Sequence, residues 1–117
     1  MTKPTKVNLE RKRGDSYGDE FTISSTTTGA IVDITGYTFL MTVDPSADPE
    51  DSTTNLFQVA GNITSALFGK VEFAPTAEQT DLPAATYYHD VQMTDGSGRK
   101  RTIAFGKYTI TQDITKD

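Results

Sequence analysis

The sequence contains no cysteine and no tryptophan, and it has a single histidine, His89. Without cysteine, the chain has no disulfide framework, no thiolate zinc or iron–sulfur centre, and no thiol nucleophile. One histidine per chain cannot supply a pair of imidazole ligands. No run of about 18 apolar residues occurs, so we expect no membrane-spanning helix. The first residues carry Lys3 and Lys6 but no apolar segment follows them, so we expect no signal peptide.

What the sequence does have is residues that favour strands. Threonine is the commonest residue, with 20 copies, and Val, Ile, Thr, Tyr and Phe together account for 44 of the 117 residues. β-Branched and aromatic side chains fit a pleated sheet better than a helix. The length is that of one domain. The composition therefore predicts an all-β protein, and we place a single domain over residues 6–115.

Charge is distributed unevenly along the chain. Residues 1–13 carry a net charge of +4, residues 14–98 carry −12, and residues 99–101 add +3. A nucleic-acid-binding domain usually has a net basic surface, so the short basic clusters and the acidic body argue against such a partner. We interpret residues 1–13 as a basic N-terminal arm that includes the first strand. Such an arm suits an acidic surface on a neighbouring subunit, because complementary charge sets the register of a contact.

Alternation of apolar and polar residues predicts most of the strands. Turn residues rich in Gly, Asp and Pro separate them at intervals of about ten residues. This spacing is typical of an immunoglobulin-like β-sandwich of about seven antiparallel strands. Residues 62–68 are ambiguous, although we expect Ile63, Leu67 and Phe68 to contribute to the core. The predicted strands cover residues 6–13, 20–27, 37–43, 55–60, 69–73, 86–94 and about 99–112.

Several residues have predicted structural roles. Asp33 and Gly36 bracket a tight corner, because Asp can accept hydrogen bonds from the following backbone and Gly tolerates a positive φ. Tyr87 lies where a tyrosine corner would lie, with an ordinary core tyrosine as the alternative. Gly106 stands at a change of phase in the last strand, which is typical of a β-bulge.

A short helical turn is predicted near residues 76–81. Thr76 is suited to cap it, and Gln79 follows three residues later, as in a capping box. The sequence from 82 to 85 then ends the turn with a proline. We expect this turn to be the one helical element of an otherwise β-structured chain.

One segment resembles a known family. The segment Gly29-Ala30-Ile31-Val32-Asp33-Ile34-Thr35-Gly36-Tyr37-Thr38-Phe39 resembles the Gly–apolar–Asp–Leu–Thr–Gly corner of small phage virion domains, such as the N-terminal domain of the phage baseplate upper protein. The segments 69–73, 81–95, 98–102 and 106–111 follow in the same order, so the resemblance spans about residues 6–115. One departure is Ala85, where the family often has Gly before the tyrosine pair.

The resemblance implies a non-enzymatic structural component of a bacteriophage virion. It would be a tail- or baseplate-associated β-sandwich adaptor, assembled in the cytoplasm of the bacterial host and located in the virion. Its partners would be other virion proteins and copies of itself in a symmetric assembly. No nucleic acid, membrane, small-molecule substrate or cofactor is expected. Two alternatives stay open: a capsid decoration protein on the outside of the head, and a carbohydrate-binding β-sandwich module.

Candidate functional residues are therefore contact residues. The acidic loop 44–54 does not fit an EF-hand, because Pro49 and Asn55 stand where Gly and Glu are needed; a solvated acidic loop or a non-standard calcium site are the remaining interpretations. We expect no catalytic or metal-binding residue, and we interpret His89 as a hydrogen-bonded structural histidine. The residues predicted to bind partners are Lys3, Lys6, Arg11, Lys12, Arg13, Tyr17, Asp48, Glu50, Asp51, Tyr88, Arg99 and Arg101.

Overall fold

Nine strands and one helical turn form in the parts of the chain that the computed structural model describes, residues 5–25, 28–46 and 55–112. β8 illustrates why they form, since its alternate residues Tyr87, His89 and Val91 are buried while their neighbours face outward. The elements are β1 (Thr5–Lys6), β2 (Leu9–Lys12), β3 (Asp19–Thr22), β4 (Thr38–Asp44), β5 (Phe57–Ala60), β6 (Asn62–Ser65), β7 (Lys70–Phe73), α1 (Ala77–Thr80), β8 (Ala85–Thr94) and β9 (Lys100–Thr111).

The strands form two sheets, and the predicted all-β sandwich is confirmed. The larger sheet has the order β1-β9-β8-β4-β5, and β2 also pairs with β9. The smaller sheet has the order β3-β7-β6. β5 lies in the larger sheet and β6 in the smaller one, and only Gly61 separates them. The chain itself therefore joins the two sheets along this edge.

The core lies between the sheets. Ile34, Val43, Val71, Phe73 and Val91 have no exposed surface. The rings of Phe21 and Phe73 meet edge to face, with centroids 5.4 Å apart. Ile34 comes from the predicted corner rather than from a strand, and it plugs the open end of the sandwich where β4 begins. Each fully buried aliphatic side chain contributes about 1.5–3 kcal/mol of transfer free energy, so these positions dominate the stability.

The N-terminal segment departs from an all-antiparallel arrangement. Both β1 and β2 pair with β9 in parallel, with Lys6 opposite Phe105 and Leu9 opposite Tyr108. Between them, the Val7 amide donates to the Phe105 carbonyl at 2.8 Å. The predicted basic arm is therefore corrected for residues 5–12, which belong to the larger sheet; residues 1–4 of that prediction lie outside the described part of the chain.

The predicted helical turn is confirmed as α1. The Gln79 amide donates to the Thr76 hydroxyl at 3.1 Å, and the Thr76 amide donates to the Gln79 side-chain oxygen at 2.9 Å, which is a complete capping box. The Thr80 hydroxyl donates to the Asp15 carbonyl, and the Gln79 side chain donates to the Gln58 carbonyl. α1 thereby links the turn after β2 to the start of β5, and we call this end of the sandwich the base.

The predicted β-bulge at Gly106 is wrong. The pairing of β8 with β9 is regular where His89 lies opposite Gly106. The register shifts nearer the start of β9, between Thr102 and Ala104. The extra residue is Ile103, so Ile103 and Ala104 are both buried while Phe105 is 44% exposed. The prediction failed because Phe105 is apolar yet exposed, so the sequence of apolar residues does not mark the position of the extra residue.

Gly106 is needed for a different reason, which is close approach. A Cβ at this position would lie inside contact distance of the Val7 carbonyl oxygen. The absent side chain lets the segment between β1 and β2 lie against β9, where the Asn8 side-chain oxygen accepts from the Lys107 amide at 3.1 Å.

Replacing Gly106 with Ala should lower the free energy of unfolding by about 2 kcal/mol, since overpacking against backbone costs about 1–3 kcal/mol. Urea denaturation followed by circular dichroism measures this. The matched control is Gly96→Ala, because nothing lies within 4 Å of a Cβ built there; it should change stability by less than about 0.5 kcal/mol. Equal stability of the two variants would contradict the packing of Val7 on Gly106.

Candidate functional site

The end of the sandwich opposite the base carries a group of exposed apolar side chains. Leu67 is 71% exposed, Phe68 is 60% exposed and Ile31 is 51% exposed. The Ile31 side chain lies against Gly69, directly after Phe68, so the three residues are neighbours. We call this group the apolar tip. Large apolar side chains exposed together at one end of a domain are typical of an interaction site.

The backbone beneath the apolar tip is held by hydrogen bonds. The Ile34 amide donates to the Ala66 carbonyl at 3.0 Å, the Gly69 amide donates to the same carbonyl at 3.2 Å, and the Ile23 amide donates to the Gly69 carbonyl at 2.8 Å. The turn between β6 and β7 is therefore tied to the β3 and β4 sides of the sandwich. A fixed turn that presents Leu67 and Phe68 to solvent loses little conformational freedom on binding.

The structure corrects the expectation that Leu67 and Phe68 are core residues. Both belong to the turn between β6, which ends at Ser65, and β7, which begins at Lys70. Sequence reasoning missed the apolar tip because it assigned the apolar residues of the ambiguous segment 62–68 to the core. The signal available in the sequence was Gly69, because glycine readily adopts the positive φ that ends a tight turn. In the structure its φ is +65°.

A basic hairpin lies at the same end. The Tyr37 amide donates to the Ile34 carbonyl, and Thr38 pairs with Thr94 at the start of the hairpin between β8 and β9. Arg99, Lys100 and Arg101 follow and are exposed. Positive charge therefore shares this end with the apolar tip.

Two carboxylates hold the turns at this end. Asp95 accepts from the Ser97 hydroxyl at 2.7 Å and from the Ser97 and Arg99 amides, and these bonds, led by the Ser97 hydroxyl, lower the pKa of Asp95. Asp33 accepts from the hydroxyl and the amide of Thr35, which lowers the pKa of Asp33. Both turns keep their shape wherever these carboxylates are ionised.

The predicted structural roles of Asp33, Gly36 and Tyr87 match the geometry. Gly36 has a φ of +81°, so it completes the corner that Asp33 begins. The Tyr87 hydroxyl donates to the Pro83 carbonyl at 2.7 Å, which makes it a tyrosine corner rather than an ordinary core tyrosine.

The residues predicted to bind partners are scattered over the molecule. Lys6 and Lys12 are exposed on the N-terminal edge. Arg13 forms an ion pair with Asp81, with Nε 2.8 Å from Oδ1, at the base. Tyr17 is half-exposed, and Tyr88 is partly buried on β8. Arg99 and Arg101 lie on the basic hairpin, whereas Lys3, Asp48, Glu50 and Asp51 lie outside the described residues.

Arg11 is not a surface residue, and its prediction as a partner-binding residue is corrected. It is 2% exposed. Its Nη2 donates to Asp19 Oδ2 at 2.6 Å, and its Nη1 donates to the Tyr17 carbonyl at 2.8 Å and the Asp15 carbonyl at 3.1 Å. The guanidinium carbon lies 4.3 Å from the centre of the Tyr17 ring. Alternation after Val7 and Leu9 already places Arg11 on the inner side of its strand. The prediction of a surface position was based on its positive charge instead.

His89 is a buried structural histidine, as predicted. It is 4% exposed, and its Nε2 lies 2.7 Å from the Val7 carbonyl. A carbonyl can only accept, so Nε2 carries the proton and the neutral ring leaves Nδ1 bare. Nδ1 has no hydrogen-bond partner in the described part of the chain. Burial lowers the pKa of His89, against the opposing effects of the Val7 bond and of the charges of Asp90 and Asp19.

Tyr108 lies beside this histidine, with ring centroids 6.1 Å apart. It is 1% exposed. Burial raises the pKa of Tyr108 to about 12, and the charge of Arg11 acts in the opposite direction. The phenol is therefore neutral at physiological pH. Together these groups form a polar inclusion in the core beside the N-terminal strands, and His89 is the member that bonds to them.

Across residues 5–25, 28–46 and 55–112, no three His, Asp or Glu side chains are grouped so that they could hold a metal ion. No helix within those ranges is long and apolar enough to cross a bilayer.

Comparison with known proteins gives a structural similarity only. No protein-family model matches the sequence, and no curated protein matches it. Among solved structures, the crystal structure of CopC from Methylosinus trichosporium OB3b is similar, with a TM-score of 0.48 and 9% sequence identity over 97% of this chain and 89% of that chain. Neither a family nor an activity of this chain follows from that similarity.

Replacing Arg11 with Ala should lower the free energy of unfolding by about 3 kcal/mol, because it leaves the Asp19 carboxylate and two carbonyls without their buried donor. The neighbouring exposed Lys12→Ala variant is the control and should cost less than about 0.5 kcal/mol. Urea denaturation of both variants measures the difference. Similar stabilities would show that Arg11 does not hold the two sheets together.

Stability should fall as the pH drops below about 6.5, the usual pKa of histidine. The pKa of His89 is lower in the folded chain than in the unfolded chain, so the unfolded state binds more protons in the interval between the two values. Urea denaturation from about pH 7.5 to about pH 5.5 measures the slope. His89→Gln should flatten it, because the chain has no other histidine; an unchanged slope would assign the dependence to other groups.

Proposed function

We propose that the chain is a non-enzymatic structural component of a bacteriophage virion, a tail- or baseplate-associated β-sandwich adaptor that docks on other virion proteins. The observation that carries the proposal is the apolar tip, where Leu67 and Phe68 are exposed on a turn whose backbone is fastened to the sandwich. Exposed apolar side chains on a rigid support favour binding to a protein surface over catalysis.

The resemblance of residues 29–39 to phage virion domains supports the kind of partner. The residues that carry it have structural roles: Ile34 fills the core, and Asp33 and Gly36 shape the corner beside it. That corner also supplies the Ile34 amide that fastens the apolar tip. The segment that prompts the virion assignment and the surface proposed to dock are thus physically connected.

The interior supports a structural role for the polar groups. Arg11, His89 and Tyr87 each have a partner in the backbone or in an ion pair, and each fastens one segment of chain. Their hydrogen bonds are therefore used for holding the fold.

The exposed aromatic residues do not favour the carbohydrate-binding alternative. Tyr17 lies on the turn after β2, Phe68 lies at the apolar tip, and Phe105 lies on the outer side of β9. A carbohydrate-binding surface usually needs aromatic rings close enough to stack on neighbouring sugars. These three rings belong to separate parts of the molecule.

The proposal predicts that the chain is a constituent of purified virions. Quantitative mass spectrometry of gradient-purified particles should find it in a fixed ratio to the major capsid protein. Leu67→Ser with Phe68→Ser should reduce its incorporation at least tenfold, because the docking surface loses its apolar side chains. The control is Phe105→Ser, which removes a comparable exposed ring from the sheet surface and should leave incorporation unchanged.

Separating heads from tails in the same preparation distinguishes an adaptor of the tail from a decoration protein of the head. Absence of the wild-type chain from the particles would overturn the virion role itself. Normal incorporation of the tip variant would overturn the apolar tip as the docking surface.

A further inference from the structure

We propose that the chain forms a two-fold symmetric dimer by pairing one edge of its sandwich with the same edge of a second copy. That edge is the continuous segment formed by β5, Gly61 and β6, residues 57–65, and we call it the neutral edge. β5 is the last strand of the larger sheet, and β6 is the last strand of the smaller one. The proposal goes beyond the virion role and does not depend on it.

The neutral edge lacks the charges and prolines that usually protect an edge strand from pairing. Residues 55–69 contain no charged residue and no proline, although charged residues make up 23% of the chain. A strand that meets its own copy across a two-fold axis brings like charges together wherever it is charged, and such pairs are destabilising. An uncharged edge is therefore suited to self-pairing. The edge strands on the other side of the sandwich are charged, with Glu10, Arg11 and Lys12 on β2 and Asp19 and Glu20 on β3.

On β5, the backbone groups of Ala60 point away from the sheet. The Gly61 amide donates to the Phe39 carbonyl of β4 at 2.8 Å. Along an antiparallel ladder, successive residues direct their backbone groups alternately toward and away from the partner strand. Ala60 precedes Gly61, so its amide and carbonyl are directed away from β4. The Gln58 carbonyl, two residues earlier, points the same way and accepts from the Gln79 side chain at 3.3 Å.

On β6, the backbone groups of Ile63 point away from the sheet for the same reason. The Ile23 amide donates to the Gly69 carbonyl at 2.8 Å, so Val71, two residues further along, directs its backbone groups toward β3. Ile63 lies opposite Val71 and therefore receives none of its bonds. Across the described residues, no loop backbone and no side chain bonds to Ala60 or Ile63. Outward-facing groups of this kind are a template for an added strand.

The open part of the neutral edge fits a second copy in one antiparallel register. Gln79 occupies the Gln58 carbonyl before Ala60, and the pairing of β6 becomes irregular after Ile63, so the open part is limited to residues 60–63. Joining Ala60 to Ile63 of the second copy, and Ile63 to its Ala60, forms two backbone hydrogen bonds in each pair. The larger sheet of each copy then continues into the smaller sheet of the other.

The same register covers exposed apolar side chains at both ends of the neutral edge. Leu56 lies four residues before Ala60, and Leu67 lies four residues after Ile63. Antiparallel pairing therefore brings Leu56 of each copy to Leu67 of the other. In a single copy these two side chains are 40% and 71% exposed, and covering them favours association. Phe68 lies beyond the paired residues and stays available to another protein.

Sedimentation velocity of the purified full chain over a concentration series tests the dimer. The wild-type chain should interconvert between monomer and dimer and form nothing larger, because a two-fold contact uses the same surface on both copies. Added salt should change the equilibrium little, because no charges meet in the contact.

A proline tests the backbone pairing. Ala60→Pro removes the outward amide and keeps the bonds to β4, so it should weaken the dimer at least about tenfold by leaving carbonyls unpaired. The matched control is Thr22→Pro, which removes an outward amide from the charged edge strand β3. It should dimerise like the wild type. Circular dichroism checks that both variants are folded.

A charge exchange at the two ends tests the register and does not alter the backbone. Leu56→Lys and Leu67→Glu should each weaken the dimer at least about tenfold, because each buries an unpaired charge at both contacts. In their equimolar mixture, the heterodimer has one unchanged leucine contact and one oppositely charged pair. It should be at least about tenfold tighter than the heterodimer of Leu56→Lys with Leu67→Lys, in which like charges meet. Native mass spectrometry distinguishes the heterodimers from the homodimers.

Four results would each overturn the proposal. They are a wild-type chain that is monomeric at every concentration, growth beyond a dimer, an Ala60→Pro variant that is folded and dimerises like the wild type, and equal affinities in the two charge mixtures. These outcomes are separable from those of the virion proposal, because incorporation is measured on particles and dimerisation on the purified chain. A chain that is present in particles but monomeric in solution would refute the dimer and leave the virion role standing.

Discussion

The ion pair between Arg11 and Asp19 joins the two sheets at the edge where the chain passes from β2 to β3 through the longer connection of residues 13–18. Arg11 belongs to β2 in the larger sheet and Asp19 begins β3 in the smaller one. At the other edge, the covalent step from β5 through Gly61 to β6 performs the same task. One edge is therefore held by a one-residue connection, and the other by a buried ion pair that supplements a longer connection. A buried charge is tolerated only when it is fully bonded, which is why the Arg11 guanidinium also donates to two carbonyls and lies over an aromatic ring.

The same edge shows how a polar interior can organise the position of the N-terminal strands. Val7 is fixed from two directions, since its carbonyl meets His89 and its amide donates to Phe105. Gly106 provides the space for this approach. The basic residues of the first strand are therefore divided by the pleat, with Arg11 used inside and Lys6 and Lys12 left outside. The positive charge available to a partner is smaller on this strand than its composition indicates.

Stability and interaction are assigned to different parts of the molecule. The core and its polar inclusion occupy the space between the sheets, whereas the turns at the two ends carry exposed apolar and charged groups. Those turns are rigid because buried residues such as Ile34 and Thr80 also donate to their backbones. A partner that binds at the tip or at the base consequently meets a surface that is already formed.

Sequence reasoning was successful where a local rule decides the structure. The capping box at Thr76, the corner at Asp33 and Gly36, and the strand that contains Tyr87, His89 and Val91 depend on neighbours within a few residues. It failed where the outcome depends on a residue far along the chain. The bulge at Ile103, the approach of Val7 to Gly106 and the exposure of Leu67 and Phe68 arise from how strands meet, and no local pattern distinguishes an apolar turn from an apolar strand.

By itself, the sequence determined that the chain forms strands of alternating character around an apolar core, because alternation and turn residues act through the backbone of each segment. Only the tertiary structure decided that β1 and β2 run parallel to β9, that Arg11 is inside, and that the apolar tip and basic hairpin share one end. These features depend on burial, and burial is a property of the packed sheets as a whole. A charge such as that of Arg11 becomes structural only when the second sheet places Asp19 within reach.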